Sequence, residues 1–247
     1  MKNCPLLPVI SVGTGNGSAG GSSIPGSDAG SGTLTGQVFL TDASFVSGTL
    51  YEQSATVTAD GANGSSVTAN WQGVDPLEMF TLDGVARVAS NWLSVQPEVG
   101  GDALPTYQEL QTYQVTSANL ALVSATALDS VFNAVSTLRS ANSAQIIVFF
   151  RRASTGTPLS GLHVSMVNAQ AGIYKTASGW VLDDGTAVTD QSGLVVFGNV
   201  EPNAAGSTQL VTVTRAATPT TAAAAAGQFP IKVVQGAVSI DALGIQL

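Results

Sequence analysis

Charge is scarce in this chain, and so are the residues on which most enzyme chemistry depends. Charged side chains make up 10% of its 247 residues and aromatics 6%, with one histidine and one cysteine. A lone cysteine, Cys4, excludes an internal disulfide and a multi-cysteine zinc site. A lone histidine, His163, excludes H-E-x-x-H and His-rich zinc motifs, and it leaves serine or cysteine nucleophiles short of bases. No G-x-S-x-G elbow accompanies it. No run approaches the roughly eighteen apolar residues of a membrane-spanning helix, so no transmembrane span is expected. Sixteen acids against eight bases repel phosphate backbones, which makes nucleic acid an unexpected partner.

What is abundant is Gly, Ala, Ser, Thr and Val, a bias common in exported β-rich proteins. Residues 11–33 are almost wholly Gly, Ser, Ala and Thr, which bury too little apolar surface to offset the entropy of ordering. Residues 1–33 are therefore expected to form a disordered tether. Gly15, Gly17 and Gly20 spell G-x-G-x-x-G after an apolar run, but no helix-forming segment follows to place its N-terminus on a pyrophosphate. No cofactor is implied. Cys4, ahead of this tether, is similar to the acylated cysteine of a bacterial lipoprotein and is the candidate lipid anchor; an incidental cysteine is the alternative.

From Leu34 onward apolar residues alternate between turn clusters such as Asp60-Gly61 and Asn63-Gly64, the pattern of strands and hairpins. Residues 34–116 read as a first β-domain, with 97–116 as a connecting arm. Residues 117–143 read as a connecting helical segment. There Thr126 and Asp129 have the form of a capping box, and Leu128, Val131, Phe132, Val135 and Leu138 recur at helical spacing. Residues 217–227 are low-complexity, and Pro219, Gly227 and Pro230 favour a loop.

The most specific stretch is residues 144–215. An apolar β-branched run at 144–152 is followed by the breakers of 154–161, and then Leu162, Val164 and Met166 alternate with His163, Ser165 and Val167. Asp190 to Gly193 reads as a tight turn, before a strand over 194–200 and another over 209–215. Thr189, Asp190, Gly193, Phe197, Val200 and Pro202 match the T-D-x-x-G-x-x-x-F-x-x-V-x-P pattern of the carboxypeptidase regulatory-like family, whose fold is the prealbumin type. Residues 144–247 resemble that family, although its first glycine is replaced by Ile146 or Ile147. The resemblance implies a seven-stranded Greek-key sandwich that rides as an accessory module in extracellular proteins. The expected fold class is all-β: two prealbumin-like Greek-key β-sandwiches, the first a diverged copy of the second, with one short helix between them.

Few residues qualify as a site. Trp180, beside Tyr174 and a turn, is the candidate platform for a sugar ring. Asp183, Asp184 and Asp190 are candidate calcium ligands, against the alternative that they close turns. These observations point to a non-catalytic, extracytoplasmic structural or adhesion module whose partners are envelope proteins or glycans. The alternative is a carbohydrate-binding module with its aromatic platform near Trp180.

Overall fold

The computed structural model describes residues 4–5, 13–14, 30–51, 55–62, 65–72, 79–88, 90–98, 101–113, 115–203, 207–217 and 223–246. Most of the expected tether, the G-x-G-x-x-G stretch and the Asn63-Gly64 turn lie outside them. The chain is nearly all strand, with one short helix among the described residues, as its alternation predicts. It divides into two compact units, Met1–Ser11 with Gly20–Leu128 and Val12–Ala19 with Asp129–Leu247.

Two two-residue strands come first, β1 (Cys4–Pro5) and β2 (Gly13–Thr14). The first unit then runs through β3 (Ser31–Gly36), β4 (Val38–Thr41), β5 (Ser47–Leu50), β6 (Ala55–Asp60), β7 (Ser66–Thr68) and β8 (Asn70–Gln72). It continues with β9 (Met79–Ala86), β10 (Asn91–Pro97), β11 (Ala103–Leu104), β12 (Thr106–Leu110) and β13 (Leu120–Ser124). Strand neighbours in this unit run β1-β5-β4-β13-β11, β3-β9-β8 and β12-β10-β6-β7. Alternation does the sorting: on β6 and β10, Val57, Leu93 and Val95 turn inward while Thr56 and Ser94 do not. They meet Phe80, Leu82, Leu120 and Leu122 in one closed core. The expected connecting arm at 97–116 contains β11 and β12 instead. The expected helical segment at 117–143 opens with a strand, β13, which runs parallel to β4 with Leu120 opposite Val38.

The helix α1 (Ala125–Ala134) starts two residues earlier than the Thr126 capping box predicts and stops sooner than the apolar spacing predicts. Ser124, not Thr126, is its cap: the Ser124 hydroxyl accepts the Ala127 N–H at 3.0 Å. Asp102 accepts the Thr126 N–H at 2.9 Å and the Thr126 hydroxyl at 2.8 Å. Asp129, freed from capping, pairs with Arg139 at 2.6 Å. Ser136 adopts a left-handed φ of 55° that ends the helical run, so Leu138 lies beyond it and is 82% exposed.

The second unit holds β14 (Ala144–Arg152), β15 (Leu162–Met166), β16 (Ala171–Thr176), β17 (Gly179–Leu182), β18 (Leu194–Val200), β19 (Ser207–Arg215), β20 (Ala224–Val233) and β21 (Val238–Ile245). One sheet runs β17-β16-β18-β14-β21, with β2 alongside β21, and the other runs β15-β19-β20. Ile146, Val148, Tyr174, Val195 and Phe197 form one fully buried face of the larger sheet. On its other face Phe132 of α1 lies so close to Gly198 that an added Cβ would sit 2.6 Å from the ring. Part of the low-complexity segment is strand, not loop: Ala224 to Gly227 pair with β19. Pro230 follows on the same outermost strand, opposite Leu210.

The Thr189 to Pro202 pattern acquires physical meaning here. The buried Thr189 hydroxyl donates to Leu159 O at 2.9 Å and accepts the Leu162 N–H at 3.1 Å, tying the turn to the start of β15. Asp190 accepts the Ser192 N–H at 2.8 Å, and Gly193 turns the chain at a φ of 65°. A Cβ at Gly193 would stand 2.3 Å from Phe150 O. Gly193→Ala is therefore expected to lose about 1–2 kcal/mol to the left-handed backbone, with the backbone clash adding to it. Phe197→Ala is expected to cost roughly 3–5 kcal/mol by emptying the core. Thermal or denaturant midpoints check both, and an unchanged midpoint for either would contradict this packing.

Candidate functional site

The hairpin of β16 and β17 carries the aromatic candidates, and its register separates them. Trp180 lies opposite Lys175, whereas Tyr174 lies opposite Val181. Successive residues of a strand point to opposite faces, so Trp180 and Tyr174 occupy different sides of the sheet. Tyr174 is fully buried: its hydroxyl donates to Val164 O at 2.7 Å and accepts the Val164 N–H at 2.8 Å. It spans the sandwich from β16 to the facing strand β15. The expected pairing of Tyr174 with Trp180 in one platform is thus corrected, because an apolar ring with a polar tip is as well suited to a core position that ends on a backbone group. Trp180 is half-buried, and the Lys175 ammonium sits 5.1 Å from its ring centroid. That cation covers ring surface a sugar would need.

The three aspartates close three local turns. Asp183 accepts the Gly185 N–H at 2.9 Å, Asp184 accepts the Thr186 N–H at 2.9 Å and the Thr186 hydroxyl at 2.6 Å, and Asp190 accepts the Ser192 hydroxyl at 2.6 Å. The Thr186 hydroxyl and then its backbone N–H hold the Asp184 carboxyl below the usual carboxylate range. Among the described residues no three His, Cys, Asp or Glu side chains gather as a metal site, so the calcium ligands expected at Asp183, Asp184 and Asp190 do not converge. Turn closure uses their oxygens locally. His163 belongs to the same scheme, its Nδ1 lying 3.0 Å from Ala187 O and fastening the 183–189 loop to β15.

Cys4 lies in β1, whose backbone pairs Cys4 with Gly48 and Pro5 with Ser47. No helix among the described residues is long and apolar enough to cross a membrane. Residue chemistry alone did not single out Trp71, which the structure sets in a concave surface of the first unit. The one available signal was its presence among three tryptophans.

No family profile matches the chain, and no curated protein matches its sequence. Solved structures with some likeness include the group B streptococcus pilus 2b backbone protein, at 11% identity and a TM-score of 0.26 with 79% of each chain covered. A shaft pilin from Lactobacillus rhamnosus GG shows 11% identity and a TM-score of 0.23 over 86% of this chain and 98% of that one. A streptococcal ancillary pilin shows 9% identity and a TM-score of 0.24, covering 87% of this chain and 62% of that one. Superpositions at that level carry nothing about this chain's fold or role.

Tyr174 makes the second unit sensitive to alkali. Burial pushes its phenol well above the ordinary value near 10, the Val164 backbone opposes that shift, and the charge of Asp183 adds to it. The folded state therefore holds the proton more tightly than the unfolded chain. Stability is full below pH about 10 and falls as pH rises toward the folded value. Tyr174→Phe is expected to cost about 1–3 kcal/mol at neutral pH by stranding the Val164 N–H and C=O, and to flatten the alkaline decline. Urea midpoints of both proteins between neutral and alkaline pH check this; parallel curves would contradict it.

Proposed function

We propose that the chain is a non-catalytic, extracytoplasmic structural or adhesion module, with residues 144–247 a carboxypeptidase regulatory-like sandwich and residues 34–116 a second β-domain. The observation that carries this reading is how its chemistry-bearing side chains are used. His163 and Thr189 fasten loops to neighbouring segments, Asp183, Asp184 and Asp190 close local turns, and Tyr174 holds one sheet to the other. Such residues serve persistence of shape rather than a reacting centre. The low charge and the Gly, Ser and Ala bias support an exported chain. In the finer form of the reading, the part of residues 1–33 that precedes β3 acts as a tether, Cys4 carries a lipid, and envelope proteins or glycans are the partners. A sugar platform at Trp180 is disfavoured by Lys175 over its ring.

Protease treatment of intact cells expressing the tagged chain tests the localisation. Digestion of the chain while a cytosolic marker survives is the expected outcome, and protection equal to the marker's would sink the proposal. Incorporation of an alkyne-bearing fatty acid, lost in Cys4→Ser, is the expected sign of the lipid anchor. Equal labelling of both proteins would remove it.

A further inference from the structure

A groove of about 430 Å³ opens in the first unit between the ends of β6, β7, β8 and β10. Its size falls within the range of small-molecule sites. Thr56, Thr68, Trp71, Gln96, Pro97 and Glu98 line it. We propose that this groove binds an uncharged, hydroxyl-rich ligand, a neutral saccharide whose ring lies against Trp71. The proposal goes beyond the structural-module reading and uses a surface on the other unit from Trp180.

Trp71 is held before any ligand arrives. It pairs with the fully buried Phe80 across β8 and β9, with ring centroids 6.2 Å apart at 75°. Its Nε1–H donates to Ala55 O at 2.9 Å, reaching from one sheet to the first residue of β6 in the other. An indole fixed along two edges loses little freedom on binding. With its N–H already engaged, what it offers the groove is ring surface. The negative π face suits the polarised C–H groups of a pyranose better than an anionic or purely apolar group. Pro97 adds a second rigid apolar wall.

The polar lining selects for hydroxyls. Glu98 is exposed, and a carboxylate accepts hydrogen bonds only, which matches ligand O–H donors. Gln96 donates from its amide nitrogen to the Ser94 hydroxyl at 2.7 Å, which fixes the orientation of its carbonyl. Thr56 and Thr68 are exposed hydroxyls able to donate and accept. Tyr51 stands near the same carboxylate: burial, then the Glu98 charge, raises its phenol above the ordinary value. No Lys, Arg or His is among the described lining residues, and the whole chain carries a formal charge of −8. Phosphorylated, sulfated or uronic ligands are therefore repelled. A single carboxylate is too few oxygens for a calcium site.

The test applies the purified full chain to arrayed neutral oligosaccharides of glucose, galactose and mannose, with sulfated and uronic oligosaccharides alongside. Retention on at least one neutral class and none on the anionic ones is expected. Trp71→Ala should abolish it. Because that variant can also disturb the core, Glu98→Gln and Thr68→Ala, both at exposed positions, should weaken binding at least about tenfold with an unchanged thermal midpoint. Trp180→Ala should leave it intact. A blank neutral array, preference for anionic sugars, or binding indifferent to Glu98→Gln and Thr68→Ala would overturn the proposal. Loss in Trp180→Ala alone would move the site to the other unit and overturn it equally. None of these outcomes bears on the protease test of localisation, so the two readings fail separately.

Discussion

The passage of Gly193 beside the Phe150 carbonyl is the constraint on which the second unit depends. Three backbone segments meet there: the Phe150 N–H donates to Gly193 O at 2.7 Å, and the Leu159 N–H donates to Phe150 O at 2.9 Å. Space for a Cβ does not exist, and the local φ is positive, so glycine answers two demands at once. Once that point is set, Leu194 must fall opposite Phe149 and the register of β18 against β14 follows. A slip of one residue would turn Phe197 out of the core and bring a larger side chain than Gly198 under Phe132. Core, helix docking and turn are thus consequences of one close approach.

Most strands of this unit were legible because a core on one side gives alternation, and turns bounded by Asp and Gly mark their ends. Leu162 to Met166 shows it plainly, whereas Leu194 to Val200, buried throughout, was marked by a continuous apolar β-branched run between turn residues. The failures have physical causes. Ala224 to Gly227 carry almost no strand preference of their own and take strand form through pairing with β19. Thr106 to Leu110 were hidden by the Gly and Pro around them, although Thr106, Gln108 and Leu110 alternate inward; two of these three inward residues are polar, so hydropathy did not mark them. The helix limits were misjudged because Leu138 continues the apolar spacing, while backbone geometry at Ser136 had already ended the helix.

The site was far less legible, since its meaning lies in which face a residue takes. Tyr174 and Trp180 are neighbours in sequence on a hairpin, yet the pairing of Lys175 with Trp180 sends them to opposite sides. Adjacent acids suggest a shared cation until each is seen to have its own backbone N–H. Trp71 gave the reverse case: marked in sequence only as one of three tryptophans, it reaches across to Ala55 O and so stands at the lip of a concavity assembled from several strands. Sequence spacing encodes local geometry well and juxtaposition across sheets poorly.

Pro230 has a meaning outside the folded molecule. It sits on β20, the outermost strand of the β15-β19-β20 sheet, where an incoming chain would look for a continuous row of donors. A proline supplies none, and its ring crowds the approach. Wherever many copies of the chain face one another, this makes the rim of the sheet a poor template for runaway self-association. A strand that opens on three alanines and a glycine is thereby a poor seed for a fibre.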